Sequence, residues 1–201
     1  MARIGFKIAK YNKHNADNDK FAALGTASKV PEFEKVVEEK FAPEYNSAEL
    51  YGNDVLAESD NTFKKGTLTL TLVDDNDTKD AELLGNTVSS ETSNSGEVTM
   101  AVDDSAPEVG YGHIVTKIVG GARKYKVEFF PRVKFNKVTH DAKTRGESVE
   151  FNTVSIEGIV YPLDKTFNGI AAGTWEKHKT FDSLTDAETY LDTLLTPTAW
   201  G

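Results

Sequence analysis

The sequence predicts a mainly β domain, a sandwich or barrel-like fold with a flanking helix. Three observations carry this prediction. Tyr125, Val127 and Phe129 alternate with Lys124, Lys126 and Glu128, and Val133 and Phe135 resume the alternation after Pro131. That period of two marks a half-buried strand. Thr67, Thr69 and Thr71 alternate with Leu68, Leu70 and Leu72, with β-branched threonine suited to a pleated surface. Gly120-Gly121 joins two alternating runs, which is a hairpin signal.

In chain order, Ile4, Phe6 and Ile8 alternate with Arg3, Gly5 and Lys7, giving an N-terminal strand, and the polar stretch 11–28 reads as a loop. Glu32–Phe41 fits a helix or a strand; the helical spacing of Phe33, Val36, Val37 and Phe41 is slightly better, and the strand leaves Lys35 and Glu39 on the wrong face. Ala42–Lys65 is a long connection with Tyr45, Leu50, Tyr51, Val55, Leu56 and Phe63 but no period. Ordered loops of that length are commonly functional, and this apolar content suits packing on another surface or on the domain's own core. After the Gly66–Leu72 strand, 78–84 reads as a short helix with Asp77 as N-cap and Gly85 closing it. Val98, Met100 and Val102 suggest a strand, as does His113–Val119. The run from Lys124 to Tyr161 reads as two long strands around the turn His140–Gly146, with a bulge at Asn152-Thr153 where the alternation slips. Phe167–Trp175 shows no pattern. Ser183 caps a helix over about 184–195, with Leu184, Ala187, Leu191 and Leu194 on one face and Pro197 ending it. The whole chain reads as one domain, a β core to about residue 161 followed by a C-terminal extension.

Composition narrows the function classes. The 201 residues carry a net charge of −9 and no cysteine, so disulfides, thiolate zinc sites and cysteine nucleophiles are excluded. Ten acidic residues and one lysine lie between Asp74 and Glu108. That segment accounts for the net charge, and without a basic stripe the chain is ill suited to gripping nucleic acid. The first twenty residues do not read as a signal peptide, and no run reaches the roughly 20 apolar residues of a membrane span.

No motif argues for catalysis. His14, His113, His140 and His178 are scattered without metal-ligand spacing. Nucleophile elbows, Walker loops and dinucleotide fingerprints are lacking, and Gly110-Tyr111-Gly112 has no strand-turn-helix context. Asp74-Asp75-Asn76-Asp77 fails as a calcium loop, because neither frame places glycine and glutamate where they are needed.

A set of segments then matters together: Leu50–Asp60, Phe63–Leu70, Asp80–Gly85, Ala106–Gly112, Phe130–Phe135, Thr144–Phe151 and Ile156–Gly158. In order and spacing they resemble the major tail (tail tube) proteins of long, non-contractile-tailed bacteriophages, especially those of Gram-positive hosts. The resemblance runs from the first strand to about Tyr161 and is weaker beyond. It implies a β-sandwich with a flanking helix that forms hexameric rings, stacked into a hollow tube through which the genome is ejected. Implied partners are other copies of the chain, the tape measure protein, and the tail terminator and distal tail proteins. DNA would pass without specific binding. The resemblance implies no cofactor, no enzyme activity and no membrane, with a place in the virion tail after synthesis in the host cytoplasm. It makes Glu32–Phe41 a strand and 42–65 the loop that reaches the next ring, with Leu50, Tyr51, Asn53, Asp54, Leu56 and Phe63 as inter-ring contacts. An acidic lumen lets DNA slide, which nominates Asp74, Asp75, Asp77, Asp103 and Asp104 as lumen residues. Lys124, Lys126, Arg132 and Lys134 suit an outer face or an intersubunit salt bridge. The competing reading is a β-sandwich that binds carbohydrate or a host surface, with Tyr51, Trp175 and Trp200 as stacking platforms.

Overall fold

The computed structural model describes residues 2–25, 29–33, 35–52, 55–73, 76–140 and 153–197. These form, in order, β1 (Ala2–Asn15), β2 (Lys20–Phe21), β3 (Val36–Tyr45), β4 (Ala48–Gly52), β5 (Val55–Asp60), β6 (Phe63–Leu72) and α1 (Asp77–Leu84). There follow β7 (Thr87–Val88), β8 (Val98–Thr99), β9 (Glu108–Val119), β10 (Ala122–His140), β11 (Val154–Val160), β12 (Lys177–Phe181) and α2 (Leu184–Leu195). The fold is mainly β, with antiparallel pairing and two helices, as expected.

The spine is β10. One side pairs with β9 through the Gly120-Gly121 turn, where both glycines hold positive φ. The other side pairs first with β12, over Tyr125–Phe129, and then with β11 from Val133. The main sheet runs β2-β1-β9-β10-β11-β6-β3, with β12 added on β10. It curls until its ends approach. The Tyr11 N–H donates to the Pro31 carbonyl at 3.0 Å, the Phe33 N–H to Ala9 at 3.0 Å, and the Val73 N–H to Lys35 at 2.9 Å. The segment leading into β3 thus ties β1 to the far edge of the sheet.

Two buried clusters pack against the sheet. One encloses Tyr11, Leu68, Leu70, Tyr111, Phe135 and Ile156, with Leu83 of α1 packed among them. The other carries Ile114, Val127 and Phe129 beneath Ala187, Leu191 and Leu195 of α2. Burying each large side chain stabilises the fold by about 1.5–3 kcal/mol. Gly110 and Gly112 let α2 come this close: a Cβ on Gly112 would lie 2.4 Å from Leu191 Cδ1, and one on Gly110 would lie 3.2 Å from Leu195 Cδ2. The final carbonyls of α2, which lack helical partners, accept from side chains. Asn12 Nδ2 donates to Leu195 O at 2.9 Å and Asn168 Nδ2 to Thr196 O at 3.0 Å.

Several expectations need correction. The start of the polar stretch 11–28 continues β1 to Asn15, where the buried Asn12 donates to the Ala22 and Leu195 carbonyls. Glu32–Phe41 contributes to a strand, as the resemblance implies, rather than the helix its periodicity favours. Ala42–Lys65 is not a loop: it finishes β3, forms the β4–β5 hairpin and starts β6. The cap of α1 is Asn76, whose side chain accepts from the Lys79 N–H, one residue before the expected Asp77; asparagine and aspartate cap equally well. Only Val98–Thr99 of the Val98–Val102 run is strand. Met100 and Val102 are exposed, and Asp104 Oδ2 accepts from the Ala101 N–H at 2.8 Å, a local turn that competes with the ladder. β12 had no sequence signal. The turn after His140 and the slip at Asn152 lie outside the described residues.

Candidate interaction edge and a buried charge cluster

β3 closes one end of the sheet order. It pairs with β6 on one side, and no strand covers its other side among the described residues. Most of its ten residues are exposed, including Val37 and Tyr45. It leads into β4 and β5, which pair with each other in a separate two-stranded sheet. The result is an arm. At its base Phe63 stacks face to face on Trp175, which also stacks on Phe41. Those rings pack against the core around Phe130, so Trp175 fills an interior joint rather than offering a platform for a sugar.

Three of the six predicted inter-ring residues fall on this arm and a fourth at its base. Leu50 and Tyr51 lie in β4, Leu56 in β5, and Phe63 opens β6. Asn53 and Asp54 lie outside the described residues. Of the predicted lumen residues, Asp74 and Asp75 are also outside, Asp77 and Asp103 are exposed, and Asp104 is half-buried and holds its own turn. Not all of the acidic segment is free charge: Glu82 pairs with Lys13 at 2.8 Å, and Glu108 pairs with Arg132 at 2.7 Å. Three of the basic residues of β10 are likewise engaged within the subunit, Lys124 with Asp182, Lys126 with Glu128, and Arg132 also with Asp164.

A second constellation was missed. His113 of β9 is 1% exposed and lies between two carboxylates. Its Nδ1 is 2.9 Å from Glu39 Oε2 of β3, an ion contact rather than an aligned hydrogen bond. Its Nε2 is 3.0 Å from Glu128 Oε2 of β10. Tyr111 Oη donates to Glu39 at 2.7 Å, and Glu128 Oε1 receives Arg3 at 2.6 Å as well as Lys126. Phe6 stacks on the imidazole, with centroids 5.3 Å apart. Burial pulls the His113 pKa down, but the two carboxylates outweigh it and raise it above the ordinary value. Burial likewise pushes Glu128 up, yet His113 and Lys126 hold it at about 2. Burial and the Glu39 charge raise Tyr111, so it stays a phenol and a donor. Glu39 is one of the two residues that spoiled the strand reading of 32–41; its inward direction was the available signal.

A cleft of about 550 Å³ opens beside this cluster, lined by Lys40, Phe130, Glu176 and His178 among others. Among the described residues no three His, Asp or Glu side chains converge where a metal ion would sit. No known protein family matches the chain, and no curated protein matches it.

Proposed function

We propose that the chain is a structural subunit of a bacteriophage tail tube, assembling into hexameric rings that stack into a conduit for the genome. The observation that carries this reading is the exposed β3 edge running into the β4–β5 arm. An uncovered edge presents N–H and C=O groups that template pairing with another chain. Repeating one head-to-tail contact around an axis closes the sheet into a barrel without edges. A contact along the axis does not close, and so builds a filament. In this reading the arm makes that axial contact, with Leu50, Tyr51, Asn53, Asp54 and Leu56 as its candidate residues.

The acidic segment suits the same purpose, since a DNA conduit must repel phosphate. Asp77 and Asp103 are exposed and would face the lumen in this reading. The tape measure protein would occupy the lumen before ejection, with tail terminator and distal tail proteins at the two ends. The carbohydrate-binding alternative is weakened by Trp175, whose ring is already stacked on Phe41 and Phe63. Negative-stain electron microscopy of the purified chain at high concentration tests the proposal. Hollow tubes or six-fold rings are expected; a protein that stays monomeric under all assembly conditions overturns it.

A further inference from the structure

We propose that His113 is a proton-controlled latch: its imidazolium fastens the edge strand β3 to the body of the sheet, and losing the proton loosens that strand. The geometry carries the argument. Glu39 comes from β3, His113 from β9 and Glu128 from β10, so one ring joins the edge to the two central strands. Two carboxylates flank the ring, and only the doubly protonated form carries a positive charge and an N–H on both nitrogens. A neutral ring turns a lone pair toward one of them.

The other charged groups decide which contact yields. On the Glu128 side, Arg3 of β1 and Lys126 of β10 remain after His113 loses its charge. On the Glu39 side, the Tyr111 hydroxyl of β9 remains as a neutral donor. Lys40 of β3, Glu176 just before β12 and His178 of β12 line the cleft beyond, with Glu176 contacting His178 at 3.2 Å. The Glu39 contact is therefore the one that weakens, and it belongs to the strand that is paired on one side among the described residues. Because the carboxylates raise the His113 pKa, the latch is closed at pH 6.5 and opens on the alkaline side. The latch does not rest on the tail tube reading, and it is tested on the subunit without assembly.

Two measurements on the full chain decide it. NMR follows titration of the His113 imidazole, and hydrogen exchange compares the peptide over Val36–Tyr45 with that over α2 across pH 5.5–9.5. The α2 peptide corrects for the intrinsic pH dependence of exchange. Protection of β3 relative to α2 should fall in step with the imidazole titration, by about tenfold for each unit its pKa is raised. In Glu39→Gln the ring should still titrate, closer to its ordinary value, while the step in β3 disappears. His113→Gln should abolish the step. If either variant fails to fold, the wild-type pair of curves still decides. An imidazole that titrates at or below 6.5, or β3 protection that ignores its titration, overturns the latch.

Discussion

Trp175 lies flat on Phe63, with ring centroids 4.1 Å apart and planes 12° from parallel. This stack joins the start of β6, where the arm returns to the body, to the segment that precedes β12. The indole also stacks on Phe41 of β3 at 5.9 Å. Trp175→Ala therefore removes the middle of a three-ring joint. The half-buried position brings the cost below that of a fully buried tryptophan, to about 2–3 kcal/mol. Urea unfolding of the variant measures it, and a loss under about 0.5 kcal/mol would show the stack to be idle.

Gly112 marks the closest approach of α2 to the sheet. A methyl there meets Leu191 Cδ1 at 2.4 Å, with Glu128 O and Phe129 Cδ2 each at 3.3 Å. The leucine end can shift, but backbone and ring leave it little room. Gly112→Ala should cost about 1–3 kcal/mol, whereas Gly5→Ala, with nothing within 4 Å, should fall within about 0.5 kcal/mol of wild type. Thermal unfolding of the two variants side by side provides the comparison; equal melting temperatures would mean that α2 is not docked this tightly.

These glycines illustrate what the sequence reveals and what it hides. Gly110-Tyr111-Gly112 is visible as a motif, but its purpose, room for α2, depends on a helix more than seventy residues away. Strands whose faces differ in polarity were legible: β6 shows strict alternation, and its leucines are buried. α2 was legible through its cap and spacing. What misled were polar residues turned inward, where a distant partner offsets their desolvation. Asn12 made the second half of β1 read as a loop. Glu39 made β3 read as a helix, since its strand position makes sense only once Tyr111 and His113 are beside it. β4 and β5 were missed for a different reason. Their residues carry no hydrophobic period in the sequence, so neither alternation nor helical spacing marks them.

The pH dependence of stability should carry two acid-side losses of separate origin. Glu128 is held at about 2 in the fold against an ordinary value of 4.5. Its contribution is complete above 4.5 and is lost as pH falls from there toward 2, a total on the order of 3 kcal/mol. His14 is buried against Phe167 and donates through Nε2 to the Pro131 carbonyl at 2.8 Å. Burial lowers its pKa, so its contribution is complete above 6.5 and declines as pH falls below that. Urea midpoints from pH 2 to 9 should show both limbs. His14→Gln should remove the upper acid limb and keep the lower, and an unchanged profile would mean that His14 is not held neutral by the fold.

The arm permits a cleaner separation of folding from assembly than any point substitution. β4 and β5 pair with each other in a two-stranded sheet of their own, apart from the main sheet that forms the body. Replacing residues 48–60 with a short Gly-Ser turn leaves Tyr45 and Phe63 as neighbours on the β3–β6 ladder, where they already pair. The closure cost of the shortened loop is also small, since loop entropy varies only with the logarithm of length. The excised subunit should therefore unfold within about 1 kcal/mol of wild type. If the arm makes the axial contact, microscopy of the excised protein should show no tubes, while single rings built on the β3 edge can still form. Normal tubes from the excised chain would remove the arm from the assembly mechanism and leave axial stacking to the face of the ring.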